Sequence, residues 1–323
     1  MNANTIQFTC LSLYALLLIG TPAVAQSPAP KIKLMKMDGK LEVRVENKLF
    51  TRYDYSSFDK PIFFPILGPS QISMTRSFPM KTIPGEANDH PHHKSMWIGH
   101  EINRVDFWSE RGGVVRLRSI QVDENSNSFT AVHDWNERKT NKTIAKDRIN
   151  ATFGAGENYR WIDFQICFSP NGGPLTFADT KEGLFALRVH PRLRLSADPK
   201  RGVSKANGIM SNSEGQSGKK IWGRKARWVS YTGKSDDDLQ TGIVMMDHPS
   251  NLRHPTTWHA RDYGLLAANP FGLHHFQKSN KGAGEWEVPV GQNLNLRYRV
   301  VFYTGQWQAN DIDEQFQKFA KQK

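Results

Sequence analysis

The feature that most constrains this chain is a period-two alternation of apolar and polar residues, repeated between residues 41 and 302 with no long helical segment in between. Alternation sends successive side chains to opposite faces, so each run reads as a strand with one dry and one wet face. The runs fall at 41–45, 114–122, 161–168, 184–189, 226–231, 242–246 and 294–302. Turn formers such as Asn171-Gly172-Gly173-Pro174 and Lys281-Gly282-Ala283-Gly284 punctuate the gaps. Helical spacing appears only at Ile312, Phe316 and Phe319, after an Asp311 that reads as the helix cap. Strands in series without intervening helices predict an all-β protein, a large antiparallel β-sandwich with a short C-terminal helix. Nine Trp and 18 Phe supply the core and exclude a disordered chain. No internal boundary is visible, so residues 26–323 are expected to form one domain.

Residues 7–25 are apolar and end in Ala23-Val24-Ala25, which reads as a secretory signal cleaved after Ala25, although no Lys or Arg precedes the apolar stretch. The expected location is therefore secreted or periplasmic, with no stable membrane span after cleavage. The formal charge of +12 first suggests nucleic acid or an anionic surface. Export removes nucleic acid as a natural target. Arg44, Arg116, Arg118, Arg297 and Arg299 occupy alternate strand positions expected on wet faces, and Lys318, Lys321 and Lys323 suit the negative end of the last helix. With Cys10 in the signal, Cys167 is the one cysteine of the mature chain and reads as a buried structural thiol.

Histidine is concentrated in two windows, four at 90–100 and five at 248–275 of 11 in all. In the first, Asp89-His90-Pro91-His92-His93-Lys94-Ser95-Met96-Trp97, Pro91 excludes a helix interior. An extended His90-Pro91-His92 turns both imidazoles to one side, where they suit a divalent metal; His92 and His93 equally suit acid–base chemistry near neutral pH. No cofactor is required by the sequence, and the metal on His90 and His92 is an optional addition. The second window contains Asp247-His248-Pro249-Ser250-Asn251 and Trp258-His259-Ala260-Arg261-Asp262-Tyr263-Gly264. Here His259 is a candidate catalytic residue, and Asn251, Arg261 and Tyr263 are candidate substrate contacts. Charge, hydrogen-bonding groups and aromatic faces in one place suit a sugar. A third element, 177–188, supplies Glu182 as the candidate carboxylate and Arg188 as a substrate contact, on one face if the strand is regular. Arg76, Trp97 and Trp108 are expected wall residues. Phosphate-binding glycine loops, dinucleotide fingerprints and the Gly-x-Ser-x-Gly elbow are missing from the sequence.

These motifs, with Asp106-Phe107-Trp108 and Thr180-Lys181-Glu182-Gly183, closely resemble a bacterial family of unknown function labelled "methane oxygenase PmoA-like". A membrane methane monooxygenase subunit needs several ~20-residue apolar spans, which the mature chain lacks, so methane oxidation is not expected. The resemblance implies a galactose-mutarotase-like supersandwich, a fold whose enzymes use His and a carboxylate on sugar rings. The expected function is therefore an exported carbohydrate-active enzyme of epimerase, lyase or hydrolase type. His92, His93, Glu182 and His259 would exchange protons, and Arg188 and Arg261 would face an anionic or keto-sugar. The alternative is a non-catalytic glycan-binding module of the periplasm or cell surface.

Overall fold

Twenty strands realise the alternation in the structure, a computed structural model that describes Met1 and residues 29–322. The expected signal and its cleavage site lie outside the described residues, as does Cys10. Every strand pairing is antiparallel. The first large sheet runs Ile32–Met37, Lys40–Val45, Lys48–Asp54, Ile62–Ile66, Met96–Ile98, Phe185–Arg188, Leu265–Asn269, Thr257–Ala260 from edge to edge. The second runs Ile209–Asn212, Trp228–Lys234, Gln240–Asp247, Leu294–Thr304, Tyr159–Pro170, Thr143–Ala155, Ser128–Glu137, Gly113–Asp123. A small four-stranded sheet, Trp286–Val288, Leu175–Phe177, Glu101–Ile102 and Val105–Asp106, closes one side. The all-β sandwich expectation is met.

The two large sheets bury their alternating apolar faces against each other. Ile162, Phe164, Ile166 and Phe168 point inward from one strand, and Leu296, Tyr298, Val300 and Phe302 from its neighbour, in register as Phe164 opposite Tyr298 and Ile166 opposite Leu296. Each of the Ile, Leu, Val and Phe side chains contributes about 1.5–3 kcal/mol through burial. One polar network crosses this core. The Tyr53 hydroxyl meets His133 Nε2 at 2.6 Å, while His133 Nδ1 and Trp135 Nε1 reach the two Asp147 oxygens at 2.5 and 2.8 Å. Because Tyr53 belongs to the first sheet and the others to the second, the network fixes how the sheets meet.

The outer faces have different uses. On the second sheet, Trp228, Val244, Met246, Val301 and Tyr303 bury Ile312, Phe316 and Phe319 of the helix Ala309–Ala320. Gln308, not Asp311, is the N-cap, and the Asp311 carboxylate accepts the Gln308 backbone N–H at 2.7 Å. The expected wet face holds for Arg116 and Arg118 but fails for Arg299, which is 4% exposed and forks onto Asp163 at 2.6 and 2.7 Å beneath the helix. Cys167 is half-buried on the outer side of its strand rather than in the core. The outer face of the first sheet is left to the histidines.

Candidate active site

Cross-strand register builds the floor of the site. Trp97 pairs with Ala186, Ala186 with Ala267, and Ala267 with His259. Directly paired residues share a face, so these four form one row across four strands, on the side opposite core residues such as Met96, Phe185, Leu266 and Trp258. At about 4.8 Å per strand, Trp97 and His259 stand roughly 14 Å apart. The two small alanines between them leave space for loop side chains to descend.

Over the Trp97 end lies the first histidine loop, held by two buried arginines. Residue 75 bridges to Val189, and the Arg76 N–H donates to the Arg188 carbonyl, which brings the guanidinium groups together. Asp89 sits against both: Arg76 Nη1 donates to Oδ1 at 2.6 Å, and Arg188 Nη2 to Oδ1 and Oδ2 at 2.9 and 3.3 Å. Burial opposes ionisation of Asp89, but the His90 hydrogen bond and the Arg188 and Arg76 charges hold its carboxyl far below the usual range. Arg76 also donates to the carbonyls of Ala87, Asp89, His90 and His93 at 2.9–3.2 Å. It is therefore the staple of the loop and not, as expected, part of the cavity wall.

The loop rings stack in order. His93 lies between His90 (centroids 4.7 Å) and Trp97 (5.2 Å), and His90 lies in turn against Tyr263 (5.4 Å). His92 and Trp108 meet the His93 ring edge-on at 4.5 and 5.6 Å. Arg188 Nη1 contacts His93 Nδ1 at 3.0 Å, with its guanidinium 4.5 Å from the Tyr263 ring centroid. Burial, then the Arg188 charge, pushes the His93 pKa well down; burial, then Lys60, pushes His92 down to about 4. Trp108 is held from below by Lys60, whose Nζ donates to its carbonyl at 2.7 Å and pairs with Glu110 at 3.2 Å.

At the other end the sheet suspends the carboxylate loop. His100 Nε2 donates to the Ala178 carbonyl at 2.8 Å, Asn269 Nδ2 to Thr180 at 2.9 Å, and His259 Nδ1 to Lys181 at 2.8 Å. A Cβ on Gly183 would fall 1.9 Å from His100 Nδ1, so only glycine fits there. Glu182, paired with Lys181, faces the cavity from this loop and not from the strand, which begins at Phe185. His259 is 2% exposed, and burial pushes it down to about 4 despite the neighbouring Glu182 charge.

The result is one cavity of about 630 Å³ lined by His90, His92, His93, Glu182, His259, Trp108, Arg261 and Tyr263. All four expected catalytic residues meet there, although 167 residues separate His92 from His259. Trp97 and Arg188 stand one layer behind, supporting His93. Asn251 lies elsewhere: its amide clamps Arg297 through both backbone groups at 2.7 Å and donates to Asp247 at 2.7 Å. His248 and His254 pack on Phe319 and Phe316, and His274 and His275 lie in the short helix Leu273–Gln277, so His259 alone of the second window lines the cavity. The His90 and His92 rings are 5.8 Å apart and edge-to-face, and among the described residues no three His, Cys, Asp or Glu are grouped to hold a metal. Sequence reasoning missed the lining residues Glu101, Asp106, Ser109, Arg111, Thr180, Lys181 and Arg201. Asp106, Thr180 and Lys181 lie within the Asp106-Phe107-Trp108 and Thr180-Lys181-Glu182-Gly183 motifs, and Ser109 follows Trp108, but none of them was given a role.

Fold and site together define an antiparallel β-sandwich with a polar, histidine-lined cavity on the outer face of one sheet. The chain belongs to a family of unknown function, DUF6807, whose profile matches residues 40–317. Among curated proteins none matches it. Solved structures similar to it include a beta-arabinopyranosidase (9% identity, TM-score 0.38, 86% of this chain and 38% of that one). A polysaccharide lyase (7%, 0.36, 91% and 35%) and a galactose mutarotase-like protein from Lactobacillus casei (9%, 0.37, 84% and 100%) are also similar. The chain spans little more than a third of the first two.

Proposed function

We propose that the protein is an exported carbohydrate-active enzyme that works on a sugar or glycoside by histidine and carboxylate acid–base chemistry. The observation that carries this reading is the convergence of His90, His92 and His93 with His259 and Glu182 in one cavity. Its volume falls within the range of small-ligand sites. The faces of Trp108 and Tyr263 suit sugar C–H surfaces, and Glu101, Asp106, Glu182, Arg111 and Arg261 suit hydroxyls or a carboxylate. In this reading His259 takes a proton through Nε2, Glu182 carries the second proton, and Arg261 meets developing or resident negative charge. The family that matches the chain, DUF6807, bears no PmoA description, so the PmoA-like label expected from the sequence is not supported; no helix among the described residues is long and apolar enough to cross a membrane.

Incubation of the purified protein with glycans, keto-glycosides and uronates, followed by NMR, tests the proposal. Turnover or accelerated anomeric exchange is expected, with a fall of about 10²-fold or more in both His259→Gln and Glu182→Gln. Binding without turnover would favour the glycan-binding alternative. Undiminished turnover in both variants would end the acid–base assignment. Export is tested by the N-terminal mass of the secreted form, expected to start at Gln26.

A further inference from the structure

His93 and His259 are each at most 2% exposed, line the same cavity, and have an Nε2 with no protein partner among the described residues. Buried polar atoms are nearly always satisfied, so orphans gathered at one cavity, Trp108 Nε1 being a third, point to a ligand that satisfies them. The partners of the two Nδ1 atoms differ in kind. The group at His93 Nδ1 is the Arg188 guanidinium, which only donates, so Nδ1 must present its lone pair and the ring proton resides on Nε2. The group at His259 Nδ1 is the Lys181 carbonyl, which only accepts, so Nδ1 carries the proton and Nε2 is bare. Burial disfavours the charged form of both rings, and the Nδ1 partner fixes the tautomer of each.

We infer that the cavity presents two neutral imidazoles locked in opposite tautomers, His93 as a hydrogen-bond donor and His259 as an acceptor, for a ligand pairing an acceptor oxygen with a hydroxyl. The ligand class is a reducing sugar or hydroxy-ketone, whose ring or carbonyl oxygen meets His93 while its hydroxyl meets His259. This deepens the sugar reading and rests on it for the ligand class, though not for the tautomers. It revises the role of His93, which polarises an oxygen and does not shuttle protons, since its only lone pair is occupied. Arg188 thereby becomes a positioning residue acting through His93, with Asp89 fixing the guanidinium. The Asp89 carboxylate holds Arg188, His90 and Trp97 stack on the two faces of the His93 ring, His92 and Trp108 meet it edge-on, and Arg76 binds the His93 backbone carbonyl.

Long-range ¹H–¹⁵N spectra of the histidine-labelled full chain at pH 7 test this without substrate, each ring being assigned by its His→Gln variant. His93 is expected to show a pyridine-like Nδ1 and a pyrrole-like Nε2, and His259 the reverse. The same tautomer in both rings, or a charged form of either, overturns the inference. Arg188→Lys should preserve the His93 pattern and Arg188→Met abolish it; an unchanged pattern in Arg188→Met overturns the positioning role. Addition of D-glucose, D-galactose, D-fructose or D-glucuronate should shift the Nε2 signals of both rings. If tautomers hold but none of these probes moves them, the ligand class is wrong. If a probe moves them and is never turned over, the catalytic proposal fails while this inference survives.

Discussion

Replacing Arg76 by Met removes the staple of the histidine loop while retaining much of its side-chain volume. Arg76 is 2% exposed and donates five hydrogen bonds, four to carbonyls of residues 87–93 and one to the Asp89 carboxylate. Asp89 keeps Arg188 as a partner, so the carboxylate is not stranded, but it loses one of two buried charge contacts. Breaking one side of a buried pair costs about 3–5 kcal/mol. Four carbonyls losing their donor would add to that if they remained buried, so the loop is expected to open locally and take the smaller loss. Urea denaturation should show the midpoint falling by the equivalent of about 3 kcal/mol or more, and hydrogen exchange should show amides at 87–93 losing protection ahead of the core strands. Arg76→Lys, with three donors in place of five, should fall between. A midpoint within about 1 kcal/mol of wild type, with unchanged exchange at 87–93, would refute the assignment of Arg76 as the loop staple.

Burial pushes His100 and His259 down to about 4, whereas an unfolded histidine titrates near 6.5. Between these values the unfolded chain binds more protons, so stability should fall as pH drops from 6.5 to 4, by roughly 3 kcal/mol for each ring; a urea midpoint constant over that range contradicts this. For the same reason kcat/KM should stay level from pH 8 to 6 and lose activity only toward pH 4, and an inflection near 6.5 would exclude His259 as the proton acceptor. Asp147→Ala strands His133 and Trp135 in the core and should cost about 3–5 kcal/mol, measured by thermal or urea unfolding. Asn251→Ala should lower stability by about 2–3 kcal/mol through its lost backbone clamp yet leave sugar turnover unchanged; loss of turnover in a folded variant would restore Asn251 to the site.

The strands were legible because alternation is a local property. The run at 161–168 and the strand Tyr159–Pro170 coincide because Ile162, Phe164, Ile166 and Phe168 all seek one face. What covers the other face is not local, and this is why Arg118 is exposed as expected while Arg299 is buried under a helix from the end of the chain. The site followed the same rule. Clustering of histidines marked the right loops, and His92, His93, Glu182 and His259 do converge. Their convergence depends on Trp97, Ala186, Ala267 and His259 sharing a row, which is a matter of register between strands distant in sequence. Sequence likewise could not separate an arginine that faces the cavity, Arg261, from two that stand behind it, Arg76 and Arg188. The triplet Asp-His-Pro occurs at 89–91 and at 247–249 with different uses. At Asp89 it anchors the cavity loop, and at Asp247 it ties a distant turn to the sandwich through Asn251, His254 and Thr256.

Proton transfer on a sugar in this cavity is measured by exchange NMR on wild type and His259→Gln. With a reducing sugar or uronate as substrate, accelerated anomeric exchange or turnover is expected in the wild type. A loss of about 10²-fold or more is expected in His259→Gln, with unchanged circular dichroism. Equal rates in the two proteins, or sugar bound by both and transformed by neither, would contradict proton transfer in the cavity.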